Sequence, residues 1–172
     1  MIGAAVRMLR RGSRASVTLA ALVIVTTGLA VAAGVLLVRV RSGRDAQAAR
    51  PASVRAAKKE VPALLSYSYQ TFRADLARAE AGTTGTFRTT YRKLMSGRVE
   101  PAALAGHVVT RTSVSAAAVI AAGPGTATLL LFLSEQTRTD ARQEPVLNDT
   151  AVRVTMRQVH GTWLVAGLVP RS

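Results

Sequence analysis

The longest apolar run of the chain lies near its beginning. Residues 15–38 are 24 consecutive positions without a charged side chain, rich in Val, Leu, Ala and Ile, with Arg14 and Arg39 on either side. A helix of this length rises about 36 Å at about 1.5 Å per residue, and a bilayer's hydrocarbon core is about 30 Å thick. The Ser and Thr residues in the run can bond back to their own helix backbone, so lipid tolerates them. The pattern predicts a transmembrane helix over 15–38.

A cleavable signal peptide is the alternative interpretation of the same segment. Four arginines between Arg7 and Arg14 resemble a basic n-region, and Ala30-Val31-Ala32 has the small-x-small form of a cleavage site. However, the apolar run continues to Val38, well beyond an h-region of about 7–15 residues. We therefore favour an uncleaved anchor, preceded by a basic arm over 1–14 and followed by a stalk over 39–51.

Helical periodicity follows the stalk, in a domain that we expect to span residues 52–172. Apolar residues recur at spacings of four, four, three and four, which predicts one amphipathic helix that stops at Gly82: Val61, Leu65, Tyr69, Phe72 and Leu76. A second amphipathic helix is predicted to end near Gly97, and its apolar face holds Phe87, Tyr91, Leu94 and Met95. A short helical turn is predicted over 101–106.

The period then changes from helical to alternating, which predicts strands. Val108 to Ile120 alternate as one long strand, and Gly123-Pro124-Gly125 turns the chain back. Residues 126–133 are almost continuously apolar, which predicts a central strand covered on both faces. Residues 139–148 are polar and include Pro145, so we expect a loop before the strand at 151–159. His160-Gly161 predicts a tight hairpin into a last strand at 162–169.

The order of these elements defines the expected fold class. Helices come first and strands second, so the domain is α+β by segregation of its elements. We expect about three helices packed on one face of a curved, four-stranded antiparallel sheet. The chain length leaves room for one such domain after the N-terminal segment.

Composition narrows the chemistry. The chain has no cysteine, so disulfides, thiolate metal sites and cysteine nucleophiles are excluded. Its net charge is +14, and half of that charge lies in residues 1–50. Four arginines, Arg138, Arg142, Arg153 and Arg157, predict a basic patch. No aromatic residues interleave with them, which argues against nucleic acid and favours either solvated charge or attraction to anionic lipid head groups and acidic partners.

Candidate catalytic and ligand-binding signatures are sparse. His107 and His160 are the only histidines, and neither has metal-ligand spacing, so we expect no metal and no cofactor. Residues 82–86 are glycine-rich but lack the Gly-Lys-Ser/Thr ending of a phosphate loop. We expect a helix C-cap followed by an N-cap there, in which Thr84 or Thr86 accepts a backbone N–H.

Three short segments resemble motifs of the Mce-associated membrane proteins of actinobacteria. The segments are 65–69 with Asp75 six residues beyond, 84–87 with Tyr91, and 161–165. The exported domain of that family resembles the cone of the nuclear-transport-factor-2-like superfamily, which type IV secretion scaffold subunits share. The residues that carry the resemblance are Tyr67, Tyr69, Asp75, Gly85, Phe87, Tyr91, Gly161 and Trp163.

The resemblance implies a non-catalytic accessory protein that supports an Mce lipid or sterol importer. A scaffold subunit of a type IV secretion or conjugation channel has the same architecture and stays open as an alternative. We expect a single-pass protein of the plasma membrane with a cytoplasmic N-terminus and an extracytoplasmic domain, although arginines flank the anchor on both sides. Its partners would be the bilayer, Mce subunits or other membrane proteins, and it could form oligomers.

Small-molecule binding or turnover inside the cone is a further hypothesis. Asp75, beside Tyr67 and Tyr69, is the one candidate for acid-base work, because burial would raise the pKa of a carboxyl group. The competing interpretation is that Asp75 pairs with Arg78 or Arg73, and we expect no enzyme activity. Phe87, Tyr91 and Trp163 are expected to pack the helices on the sheet, or to line a cavity if the cone is open.

Overall fold

The computed structural model describes residues 45–171 and the isolated helical position Gly34. The predicted transmembrane segment 15–38 lies, apart from Gly34, outside the described residues, and so does the basic arm at 1–14. Across residues 45–171, the helices are too short or too polar to cross a bilayer.

Within residues 45–171, four α-helices precede or interrupt the strands. The first, α1, runs without a break over 45–65, so residues 45–51 of the predicted stalk are helical and Ala49 is buried. The two-residue strand β1 (Tyr67–Ser68) follows it. The later helical elements are α2 (Phe72–Ala81), α3 (Gly85–Leu94), a π-helical turn (Met95–Val99) and α4 (Glu100–Ala105).

The predicted single helix from Val61 to Leu76 is wrong, because the chain leaves the helix after Leu65. Strand β1 (Tyr67–Ser68) pairs with a longer strand, with Tyr67 opposite Thr110. The spacing of the apolar side chains fits one continuous helix. In the structure, however, the backbone groups of β1 pair with the neighbouring strand and are not available for helical hydrogen bonds. The predicted stop at Gly82 is confirmed, since Gly82 is the C-cap of α2.

The sheet is an antiparallel meander in the order β1-β2-β3-β4-β5. Its long strands are β2 (Val109–Gly123), β3 (Thr126–Thr139), β4 (Arg142–Val159) and β5 (Thr162–Arg171). Both predicted hairpin turns are confirmed. His160 and Gly161 have φ angles of 49° and 81°, as a two-residue hairpin loop with left-handed residues requires.

The loop predicted over 139–148 is wrong. The chain turns at 140–141 and returns at once as β4, which pairs with β3 from Arg142 onward. Pro145 is tolerated for two reasons. It lies in an irregular stretch, where Thr137 pairs with Val146 and Thr139 with Arg142. It also precedes Ala151, where pairing with β5 begins, so this part of β4 is an edge.

Two bulges in β2 change which side chains face the helices. The register shifts between Val114 and Ala116 and again between Val119 and Ala121. The predicted alternation placed Ala116, Ala118 and Ile120 on the same face as Thr110 and Thr112, and it is wrong beyond the first bulge. Ile120 is 52% exposed. Its neighbours pack on the core instead: Ala117, Val119 and Ala122.

The helices cover one face of the sheet and leave the other open. β3 is the central strand, as expected, but the helices cover only one of its faces and Phe132 on the other face is 45% exposed, so the prediction of two covered faces is wrong. We call the uncovered side the outer face. The α+β class is confirmed, with a fifth, two-residue strand added. The core includes Val61, Leu64, Phe72, Tyr91, Leu129, Leu131, Val154, Met156, Trp163 and Val165.

The link between α2 and α3 fastens the helical layer to the edge of β5. Thr84 donates its backbone N–H to the carbonyl of Val165 at 2.9 Å, and Val165 donates to the carbonyl of Gly82 at 2.8 Å. Thr83 is fully buried between these bonds. The link therefore satisfies part of an otherwise open strand edge and positions α3 above the sheet.

Candidate functional site

An apolar groove opens between the helical layer and the sheet. Its volume is about 380 Å³. Aliphatic and aromatic side chains dominate its lining, and Glu135 contributes the carboxylate. The lining residues are Leu64, Leu65, Tyr67, Phe87, Tyr91, Leu94, Met95, Val99, Thr110, Glu135, Leu168 and Pro170. The groove has the size and apolar character of a site for a small amphiphile or a partner side chain.

Tyr91 fixes the floor of the apolar groove. Its hydroxyl donates to the carbonyl of Leu64 at 2.7 Å, across 27 residues of sequence, and joins α3 to the end of α1. Burial raises the pKa of Tyr91, and the charges of Glu80 and Asp75 act in the same direction. The hydroxyl is therefore protonated at neutral pH and donates this hydrogen bond. The ring of Phe87 lies 6.1 Å from that of Tyr91.

Asp75 lies outside the apolar groove, in a more polar depression beside Arg78. Its Oδ2 accepts the backbone N–H of Ser68 at 3.2 Å and the hydroxyl of Thr71 at 2.7 Å. Its Oδ1 accepts from Arg78 at 3.1 Å. These bonds hold the turn between β1 and α2. Of the two predicted partners, Arg78 pairs with Asp75, whereas Arg73 pairs with Glu100 instead.

Of the remaining family-motif residues, Tyr67 lies with Phe87 and Tyr91 at the apolar groove, whereas the others lie elsewhere. Tyr67 also borders the depression that contains Asp75, and its ring makes a T-shaped contact with that of Phe72, with centroids 5.5 Å apart. Tyr69 faces away to stack on His107 at 4.6 Å. Trp163 borders a different depression of about 310 Å³, near the start of α1. Gly161 belongs to the last hairpin turn.

Gly85 and the residue before it shape the start of α3. Gly85 has a φ of 62°, a left-handed value that favours glycine. Thr84 is the N-cap of α3, as predicted, but its side chain makes no capping hydrogen bond. Instead, the backbone N–H of Thr84 bonds to β5, and this bond fixes the position at which α3 begins.

One ion pair was missed at the sequence level because its members are twelve residues apart. Arg92 of α3 donates to the carboxylate of Glu80 of α2, with Nε to Oε1 at 2.7 Å and Nη2 to Oε2 at 2.5 Å. The side-chain hydrogen bond from Arg92 lowers the pKa of Glu80, against the opposing effect of burial. Bidentate Arg–carboxylate geometry makes this a specific clamp between the two helices.

His107 has a structural position at the end of the sheet. Its Nδ1 contacts the carboxylate of Asp140 in the turn between β3 and β4, and Asp140 donates its backbone N–H to the carbonyl of Gly106 at 3.2 Å. Within the part of the chain that the structure describes, His, Asp and Glu side chains do not gather into a group that could hold a metal ion.

Helices on one face of an antiparallel meander, with an open apolar groove between the layers, make this an α+β domain. Residues 14–166 match the family described as "Uncharacterized protein Rv1363c/MT1408-like". The chain belongs to this family. A relative named outer membrane protein Rv1973, from Mycobacterium tuberculosis, is 37% identical over 144 residues, which are 83% of this chain and 89% of the relative.

Solved structures share the fold at low identity. An IcmL-like type IV secretion system protein from Legionella pneumophila superposes with a TM-score of 0.59 at 11% identity, covering 68% of this chain and 89% of that one. CagV, a VirB8 homolog of the Helicobacter pylori type IV secretion system, gives a TM-score of 0.56 at 13% identity, covering 69% and 95%. These similarities establish the fold.

Proposed function

We propose that this protein is a non-catalytic, membrane-anchored scaffold subunit of a multiprotein assembly in the cell envelope. The observation that carries the proposal is the shared fold with domains named as type IV secretion proteins. The one predicted acid-base residue, Asp75, fits the proposal, because its carboxylate is engaged in holding a turn.

An envelope location is supported from two sides. The sequence predicts a membrane anchor at 15–38, and a close family member is named an outer membrane protein. The finer prediction, a plasma-membrane anchor with the domain on the extracytoplasmic side, agrees with an envelope role and stays a proposal. So does oligomerisation, which a scaffold role would require.

Two kinds of assembly fit this architecture. The fold comparisons favour a channel of the secretion type, because the solved relatives are named for such systems. Support of an Mce lipid importer stays a prediction from the motif resemblance alone. Both versions require docking to other membrane proteins, and the apolar groove is the surface we propose for it.

Purification of the tagged full-length chain from native membranes tests both versions. After mild crosslinking and detergent extraction, mass spectrometry identifies the partners. We expect secretion-type channel subunits; Mce permease or substrate-binding proteins would select the other assembly. Leu94→Asp places a charge in the apolar groove and should remove the partners. Leu104→Asp is the matched control, because Leu104 is equally exposed, 49% against 50%, and lies outside the groove.

Loss of the partners from both variants, or from neither, would contradict docking through the apolar groove. Recovery of the chain without any envelope protein would contradict the scaffold role itself.

A second candidate function is binding of a small amphiphile, favoured by the volume and apolar lining of the groove. Organic extraction of the purified full-length protein should then yield one amphiphile in stoichiometric amount. Leu94→Asp should reduce the yield, whereas Leu104→Asp and Asp75→Asn should not. If protein that still binds its partners yields no amphiphile, amphiphile binding is contradicted and only the scaffold role is supported. Turnover at Asp75 stays a prediction from the sequence, to which the geometry adds no support.

A further inference from the structure

The outer face of the sheet carries apolar side chains that nothing in the described part of the chain covers. Ile120, Phe132 and Val169 are between 45% and 59% exposed. The register connects this apolar patch across four strands, because Ala116 pairs with Phe132 and Ala118 with Leu130, while Leu130 pairs with Arg153 and Arg153 with Val169. On a sheet face that is exposed to water, polar residues normally occupy these positions.

Arginines lie around the apolar patch and, at Arg153, within it. The same register places five of them on the outer face, against Asp149: Arg111, Arg138, Arg153, Arg157 and Arg171. None of the five has an ion-pair partner among the described residues. The face therefore combines uncovered apolar surface with uncompensated positive charge.

A small pocket lies among these arginines at one end of the face. Its volume is about 220 Å³, and its lining residues are Val109, Arg111, Gln136 and Arg138. Two guanidinium groups and one amide group can together donate several hydrogen bonds to a phosphate group. The pocket has the donor set that a phospholipid head group requires.

We propose that the outer face lies against an anionic phospholipid surface, with the apolar patch at the acyl boundary and the arginines at the phosphates. This inference rests on the envelope location in the proposed function. Exposed apolar residues interspersed with basic ones match the interfacial region of an anionic bilayer. Two copies packed face to face would instead bring like-charged arginine sets together, which disfavours a second copy as the occupant.

Because the predicted anchor at 15–38 would tether the domain to the bilayer, weak contacts between the outer face and lipid are sufficient. A domain tethered to a bilayer meets it at high effective concentration, so the face need not bind free vesicles tightly. Each basic residue near an anionic surface strengthens attachment about fivefold. The five arginines can therefore decide how the tethered domain lies on the bilayer.

Single-cysteine labelling tests the contact, because the chain contains no cysteine. The full-length protein carries Ala118→Cys on the outer face, or Ser96→Cys on the exposed π-helical turn of the other layer, each labelled with an environment-sensitive fluorophore. It is reconstituted into phosphatidylcholine vesicles or into equal mixtures with phosphatidylglycerol, each containing brominated acyl chains. We expect blue-shifted, quenched emission at position 118 in the anionic vesicles, with little change at position 96.

Charge variants make the test specific. Arg153→Gln with Arg157→Gln should remove most of the quenching at position 118, a change of about 25-fold in attachment at about fivefold per charge. Lys58→Gln with Lys59→Gln removes the same charge from exposed positions of α1 and should change nothing.

Three results would overturn the proposal: no quenching at position 118, equal quenching in neutral vesicles, or self-quenching that rises with the protein-to-lipid ratio. The last would show that a second copy covers the face. Resistance to alkaline extraction measures anchoring separately. A chain that is anchored but unquenched therefore contradicts the lipid contact alone, whereas an extractable chain contradicts the proposed envelope function.

Discussion

At the residue scale, the hydroxyl of Tyr91 connects two helices through one buried hydrogen bond to the carbonyl of Leu64. Tyr91→Phe removes the donor and leaves a carbonyl without its partner, so we expect a loss of about 1 kcal/mol in the free energy of unfolding. Tyr69→Phe is the control, because the Tyr69 hydroxyl makes only an exposed bond to Gln70. Chemical denaturation of both variants measures the difference; equal losses would contradict the role of the buried bond.

Glu80 is the residue whose charge should show in the acid stability of the domain. Its pKa is lowered in the folded state by the hydrogen bond from Arg92. The ion pair therefore contributes stability above the ordinary glutamate pKa of about 4.3, and this contribution is lost as the pH falls through the lower folded value.

Glu80→Gln should therefore reduce the loss of thermal stability between neutral pH and about pH 3. Glu144→Gln, which changes an exposed carboxylate without an ion pair among the described residues, should leave the wild-type slope unchanged. Melting temperatures across this pH range decide the matter, and identical slopes in all three proteins would refute the assignment.

Much at the residue scale could not be predicted from the sequence. Asp75 was recognisable as a motif residue, but whether it faced a cavity depended on where β1 placed Ser68. The Glu80–Arg92 pair was missed because the two side chains come together only through the angle between α2 and α3. Patterns in the sequence describe residues that are near one another along the chain. They did not predict these contacts, because only the fold brings the contacting residues close.

At the element scale, the bulges of β2 decide which side chains reach the core. Strict alternation predicts that Ile120 faces inward and Val119 outward, whereas the structure shows the opposite. Val119→Asp should cost at least about 2 kcal/mol because it brings a carboxylate against the core, and Ile120→Asp less than about 1 kcal/mol. Equilibrium unfolding of the two variants tests this, and the reverse order would restore the unbulged strand.

The elements themselves were more predictable than their boundaries. The hairpin at His160-Gly161 and the stop at Gly82 were found because turns and caps depend on local backbone conformation. The break after Leu65 and the strand through 142–150 were missed. In both cases a neighbouring strand supplied backbone partners that local propensity does not contain.

At the scale of the whole molecule, β4 leaves an edge where β5 ends. Exposed Val146 and Leu147 would favour pairing of this edge with a strand of another molecule. Pro145 and the irregular pairing around it disfavour such association. Pro145→Val should increase self-association, measured by light scattering during refolding. Gln143→Val adds a β-former in the same stretch but keeps the proline, so it should scatter like the wild type. Equal scattering by all three would show that Pro145 does not protect the edge.

The molecule presents two faces with different consequences. The apolar groove on the helical side is the surface that we propose for protein partners, and the basic outer face is the one that we propose for lipid. A scaffold that binds both would hold its partners at a defined height and orientation on the bilayer. Because the surfaces lie on opposite sides of the sheet, variants in one should leave the other intact.

The sequence by itself determined the α+β class, the order of the elements and the uninterrupted apolar segment near the start. Each of these depends on the period, length and composition of consecutive residues, which need no knowledge of distant contacts. Only the tertiary structure decided which face of the sheet stays uncovered, where β2 bulges, and that Asp75 lies outside the apolar groove. Those features depend on register and packing between elements far apart in the chain, where a shift of one residue exchanges the inner and outer faces.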